Sequence, residues 1–243
     1  MIDPQRLDRI VDALLSDPAY GEGSRTFPGG VSDDEAEAIA EGLGEQMDEA
    51  AAARHEQAVA QGFRIACGPG CSACCEVMVM VYRPEAIRIA RFLAQPEHQA
   101  LRAAFLDEHR RWRGAVQESP GAIAALSAAA DRGPYYAALS EHWQRRILCA
   151  FNRDGQCLVY PVRPLGCRNA HALDNADHCV AATALVRPAA ALAFPPLDRF
   201  LATATALLRA LQTSMGGPHG EATSVSDAVY ALLDGERPAP GPG

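Results

Sequence analysis

Eight cysteines fall in two blocks, and their spacing is the feature of this sequence most able to do chemistry. The first block, Cys67-Gly68-Pro69-Gly70-Cys71-Ser72-Ala73-Cys74-Cys75, reads C-x3-C-x2-C-C and holds four of the eight cysteines in nine positions. The second, Cys149, Cys157, Cys167 and Cys179, is looser. Thiolate is a soft, anionic ligand suited to zinc or to iron–sulfur clusters. Two or three intervening residues let a loop curl so that successive sulfurs face one point. Gly68 and Gly70 permit the tight backbone this needs, and free amide N–H groups can then bond to the sulfurs. Cys74 and Cys75 are adjacent, and neighbouring side chains of an extended segment point to opposite sides. Either they serve two metals or one of them is a packed thiol. The plain alternative for any of the eight is a small buried hydrophobe; Cys149 and Cys179 are the cysteines whose spacing argues least against it.

Two histidines accompany the second block: His171, four residues after Cys167, and His178, immediately before Cys179. Either has the chemistry of a ligand or proton donor, and either also suits a solvated loop. No Ser/His/Asp arrangement, phosphate-binding glycine loop or paired-carboxylate motif stands out. The residues name no catalytic group.

The elements that must position these cysteines read mostly as helices. Alanine is abundant and aromatics are 6% of the chain, which favours packed helices over sheets. Leu7, Ile10, Val11, Leu14 and Leu15 mark a short helix within residues 1–20. After a Gly/Pro-rich loop, Ser32-Asp33-Asp34-Glu35 reads as a capping box. It opens a helix with Ile39, Leu43, Met47 and Ala50 on one face, stopped by Gly62. Val77 to Tyr82 has the composition of a short strand. Pro84 suits the first turn of a helix burying Ile87, Ala90 and Leu93. Pro96 starts another, with Leu101, Phe105, Trp112 and Val116 inward. The stretch from Ala122 to Trp143 reads as helix broken near Gly133-Pro134, and the second cysteine block as loop. Leu197, Phe200, Ala204, Leu208 and Leu211 mark a late helix, and Ser224 to Leu233 a shorter one. The expected fold is mainly α: one helical domain over residues 1–236, with a loop-built cysteine metal site and at most a short strand or hairpin. Residues 237–243 read as a disordered tail.

Composition narrows the function classes. The chain carries 22 basic residues, all arginine, against 30 acidic ones, a net charge of −8. An acidic chain repels a phosphate backbone, so nucleic acid is not an expected partner. A local run of Arg145, Arg146, Arg153, Arg163 and Arg168 could hold an anion. No apolar stretch approaches the roughly 18 residues of a membrane span, and Met1 to Arg6 has no signal-peptide character. The expected compartment is the cytoplasm, where cysteines serve as ligands or redox groups more often than as disulfides.

The two blocks together resemble the YkgJ-type cysteine-cluster proteins, described as zinc- or iron-chelating. The resemblance rests on Cys67, Cys71, Cys74 and Cys75, followed by an apolar segment and a helix. It continues in Cys149 and in Cys157-Leu158-Val159-Tyr160-Pro161-Val162-Arg163-Pro164-Leu165-Gly166-Cys167-Arg168. It covers Phe63 to Arg168, within a core of residues 63–179. It implies that Cys67, Cys71, Cys74, Cys75, Cys149, Cys157 and Cys167 are metal ligands, with Cys179 ranked after them. It also implies that Tyr160, Arg163 and Arg168, with Pro164, surround the cofactor, where guanidinium groups would offset the charge of four thiolates. Flagellin lysine methylases have similar cysteine blocks in longer chains.

Two functions stay open on this reading. One is an iron–sulfur protein with a redox or modification role, acting on an unknown protein or small-molecule partner. The other is a protein in which structural zinc holds the loops together. The spacing Cys67-x3-Cys71-x2-Cys74 also matches radical S-adenosylmethionine enzymes. Those usually place an aromatic before the last cysteine, where this chain has Ala73, and need strand–helix repeats that are not visible.

Overall fold

Ser32 opens the first described helix as its capping box requires. Its hydroxyl accepts the Glu35 N–H at 3.2 Å, and its own N–H donates to the Glu35 carboxylate at 3.1 Å. The structure, a computed structural model, describes residues 30–68, 70–117, 141–170, 172–173, 195–216 and 222–234. The expected helix within 1–20, most of the stretch 122–143, His171, His178, Cys179 and the tail 237–243 lie outside the described residues.

Helix α1 (Asp33–Ala60) carries Asp33, Asp34 and Glu35 in its first turn, where negative charge meets the positive end of the helix dipole. Ile39, Leu43 and Met47, four residues apart, are buried on one face. Helix α2 (Arg83–Ala94) has Pro84 in its first turn and buries Ile87, Ala90 and Leu93. A 3-10 turn at Pro96–His98 leads into helix α3 (Gln99–Gln117). Phe105, Trp112 and Val116 are buried along α3 as their spacing predicts. A four-residue helix α4 (Leu165–Arg168), α5 (Pro195–Ser214) and α6 (Val225–Asp234) follow. Helix α2 is the hub, packing against α1, α5 and α6. The described chain is thus mainly helical.

Strand content is confined to short ladders. The strand expected over Val77–Tyr82 shortens to β1 (Met80–Val81). Its antiparallel partner β4 (Thr223–Ser224) is equally short, with Met80 opposite Ser224 and Val81 opposite Thr223. The partner cannot run further because α6 begins at Val225. The second ladder pairs β2 (Asn152–Arg153) with β3 (Gln156–Cys157).

Two apolar cores result. The first joins β1, α2, α3 and α6 to the second cysteine block, with Phe105 stacked on Phe151 at 4.3 Å. Cys149 and Cys157 pack against it. The second joins α1 and α5 through Leu43, Met47, Leu207, Leu208 and Leu211, and it takes in Leu165 of α4. Asp227 ties α6 to α3. It accepts from His109 Nε2 at 3.1 Å, Arg113 at 3.1 Å and the Ser224 hydroxyl at 2.9 Å. No described helix is long and apolar enough to cross a membrane.

Candidate metal centre

Backbone contacts bring the two cysteine blocks together. Beyond α1 the chain forms an antiparallel bridge between Ile65 and Leu173, and Ala66 N–H donates to Ala172 O at 2.9 Å. Ala172 N–H in turn donates to Cys67 Sγ at 3.1 Å. Gly70 then lies against Gly155: a Cβ on Gly155 would stand 3.4 Å from the Gly70 carbonyl oxygen. Cys74 and Cys75 follow on a 3-10 turn, Ala73–Glu76. Cys75 O accepts the Cys149 N–H at 2.7 Å, and Glu76 pairs with Arg146.

The second block, expected as loop, contains a hairpin. Asp154 (φ +53°) and Gly155 (φ +78°) connect β2 to β3, both in the left-handed region. That is the two-residue turn for which Asp-Gly is the preferred sequence; the dipeptide was the available signal. The Asn152 side-chain oxygen accepts the Gly155 N–H at 3.2 Å and closes the turn. A 3-10 turn at Tyr160–Val162 leads to α4, which carries Cys167. The first N–H of α4, at Leu165, donates to Glu85 Oε1 at 2.9 Å, while Glu85 Oε2 accepts from Tyr82 N–H at 3.3 Å. One buried carboxylate therefore ties α2 to the Cys167 helix.

Four thiols share one electrostatic neighbourhood. Burial pushes Cys149 up to about 12, and the nearby Cys75 and Cys157 thiols add to the rise. Burial also raises Cys157, with a further rise from Cys75 and a partial offset from Arg163. Cys167 is raised well above the ordinary thiol value, first by burial and then by Cys149, Cys157, Cys75 and Glu85. Cys75 goes the other way, to about 7. Hydrogen bonding from the Cys74 thiol is the largest cause, opposed by burial and assisted by Asn152. Cys149, Cys157 and Cys167 thus resist ionising beside one another and beside Cys75, a field that a bound cation would relieve. All seven described cysteines keep some solvent exposure and none is in a disulfide. Cys149 and Cys167 are nonetheless surrounded closely enough for burial to dominate their chemistry.

Cys75, Cys149, Cys157 and Cys167 lie within electrostatic reach of one another, Cys74 is hydrogen-bonded to Cys75, Cys67 accepts the Ala172 N–H at 3.1 Å, and the Cys71 N–H closes a turn on Gly68 O at 3.0 Å. Among the described residues, no group of three or more His, Cys, Asp or Glu side chains is placed to hold a metal ion.

The tyrosine and arginines expected around the cofactor have distinct places. Tyr160 is 61% exposed, with the Arg163 guanidinium 4.0 Å over its ring. Arg163 also reaches Asp48 at 3.3 Å and is the cation that favours the Cys157 thiolate. Arg168 is buried, and carbonyls take up its guanidinium: Arg163 O at 2.8 Å, Pro161 O at 2.7 Å and Gly44 O at 3.4 Å, with the Asp48 carboxylate beside them. It clamps the block-two turn onto α1. Sequence reading missed Glu85, Asn152 and His142. His142 lines a water-sized cavity of ≈ 10 Å³ beside Cys149 and Ser226. No periodicity or motif distinguishes these polar residues from surface ones.

Comparison with family models, curated proteins and solved structures found no match to the chain.

Proposed function

We propose that this is a metal-binding cysteine-cluster protein carrying an iron–sulfur cluster with a redox or modification role, in keeping with its resemblance to the YkgJ-type proteins. The supporting observation is that Cys75 from one block lies within electrostatic reach of Cys149, Cys157 and Cys167 from the other, with the Cys149 N–H donating to Cys75 O. Soft thiols, mutually unfavourable as bare anions, are the donor chemistry of an iron–sulfur core or a zinc ion, although in this structure no three described residues are placed to ligate one. A bound cluster would supply one-electron chemistry. The chain's own residues hold the sulfurs: the 3-10 turn presents Cys75, the hairpin presents Cys157, Glu85 fixes the helix of Cys167, and Arg163 offsets charge at Cys157. Thiols of this kind persist in a reducing compartment, so the proposed location is the cytoplasm. The acidic chain favours a protein or small-molecule partner over nucleic acid.

Structural zinc is the second reading, and one observation favours it. Cys149 packs on the first core, while Cys167 sits on a helix rooted in the second through Leu165. An ion shared by these sulfurs would staple the two cores. Anaerobic purification, a visible spectrum and assays for iron, sulfide and zinc decide between them. Brown protein with broad absorbance near about 400 nm and acid-labile sulfide supports the cluster; colourless protein with stoichiometric zinc supports the staple; protein with neither metal overturns both.

A further inference from the structure

Cys75 and Cys149 stand at a separation that sulfur chemistry can use. The Cys149 N–H donates to Cys75 O at 2.7 Å. Residues joined by such a bond have Cα atoms about 5–6 Å apart. That lies inside the range of roughly 4.4–6.8 Å that a disulfide spans without backbone movement. The adjacent pair is different. Consecutive Cα atoms are about 3.8 Å apart across a trans peptide, below that range, so Cys74 is a poor partner for Cys75. The elements carrying Cys75 and Cys149 are fixed on both sides. Cys75 lies on the 3-10 turn Ala73–Glu76, which the Glu76–Arg146 ion pair ties again to the second block. Cys149 packs on the first core. The Cys75 thiol is near enough to act on the Cys149 thiol through space. The water-sized cavity of ≈ 10 Å³ beside Cys149 gives its Sγ room to turn. Both cysteines keep some solvent exposure, and neither is in a disulfide.

We infer that Cys75 and Cys149 are an oxidisable dithiol, closed to a disulfide by a hydroperoxide in the metal-free chain and reopened by a thiol reductant. One sulfur attacks the peroxide; the O–O bond breaks, a sulfenic acid forms, and water or an alcohol leaves. The other sulfur attacks the sulfenic sulfur; the S–O bond breaks, the S–S bond forms, and water leaves. The two thiols lose two electrons and two protons, and the peroxide takes up both. The bridge joins the two blocks across the 73 residues between them. This inference goes beyond the metal-binding reading and does not require it. Sulfurs held by a metal are not open to the peroxide, so a loaded state and the bridged state exclude each other.

The test is peptide mapping of the full-length chain, reduced, freed of metal with a chelator, and treated with hydrogen peroxide in buffer and in urea. Remaining thiols are alkylated, and the chain is cut at arginine. Cys149 is then the one cysteine of residues 147–153, and block one falls in residues 65–88, because the bond from Arg83 to Pro84 resists cleavage. In the urea-unfolded chain, closure over 73 residues is disfavoured roughly 10- to 100-fold against closures within block one. The linked pair of 65–88 with 147–153 is therefore expected to be enriched about 10-fold or more in the folded chain. It should vanish on reduction and in C75S, and persist in C74S. Linkage of Cys149 to another cysteine, linkage confined to block one, or equal yields with and without urea overturns the inference. So does a linked pair that survives in C75S. Because the first comparison uses wild type alone, a C75S chain that fails to fold leaves the test decisive. Metal assays answer separately. A chain that holds no metal but gives the linked pair supports the dithiol and removes the metal reading; one that holds metal but gives no such pair once stripped removes the dithiol alone.

Discussion

The main-chain N–H of Cys149 donates to the carbonyl oxygen of Cys75 at 2.7 Å. This single bond places the end of the first cysteine block against the start of the second. The Cys75 thiol shares an electrostatic field with Cys149, Cys157 and Cys167.

Serine at Cys75, Cys149, Cys157 or Cys167 is therefore expected to abolish stoichiometric metal. Serine at Cys74 should cost no more than an outer-shell change, roughly 10-fold in affinity. Metal content of the five purified variants checks this. Metal lost from C74S and kept in C75S would show that the quartet has been drawn wrongly.

Glu85 should make the apo protein less stable as pH rises. Burial lifts its carboxyl from 4.5 to about 7, against the opposing pull of the Leu165 and Tyr82 N–H groups and of Arg168. Between these values the unfolded chain sheds a proton that the folded chain keeps. Stability contributed by this group is thus highest at low pH and falls through the window from about 4.5 to 7. The loss totals on the order of 3 kcal/mol and levels off above it. E85Q is neutral throughout and lacks that slope. Urea unfolding at pH 5 and pH 8 should show the wild type losing ground to E85Q; parallel profiles would contradict the assignment.

Glycine-to-alanine changes on two helices should have opposite signs. Helix propensity favours alanine by about 1 kcal/mol at either. A Cβ at Gly114 of α3 meets nothing within 4 Å, so G114A should stabilise by about that amount. At Gly44 of α1 it would stand 3.1 Å from Arg88 Nη1, 3.2 Å from Arg168 Nε and 3.3 Å from Arg168 Cζ. Arg168 cannot yield, because the Pro161, Arg163 and Gly44 carbonyls hold it. Overpacking of about 1–3 kcal/mol, less the roughly 1 kcal/mol of propensity, should leave G44A destabilised by up to about 2 kcal/mol, read from denaturant midpoints at constant m-value.

D227A should loosen the packing of α6 on α3. It strips a shared acceptor from His109, Arg113 and Ser224 and leaves the buried His109 nitrogen unpaired. A loss of about 2–3 kcal/mol is expected. Hydrogen exchange should quicken first in α6 and at β4; uniform exchange across the chain would argue that this knot is not local.

Helix positions were legible in the residues because their causes are local. Ser32 and Glu35 cap α1 with atoms three positions apart, Pro84 sits in a first turn, and the faces of α1, α2 and α3 repeat at helical spacing. The clustering of the cysteines into two blocks was equally visible in their spacing. Tertiary structure decided the rest, because the causes act across the chain. Where β1 stops depends on α6 beginning at Val225. That Cys75 meets Cys149 depends on a main-chain hydrogen bond between the two blocks. The close approach of Arg168 to α1 depends on Gly44 having no side chain. Spacing along a chain can say that sulfurs are able to share an ion; which sulfurs do so is set by contacts between segments that the chain order keeps far apart.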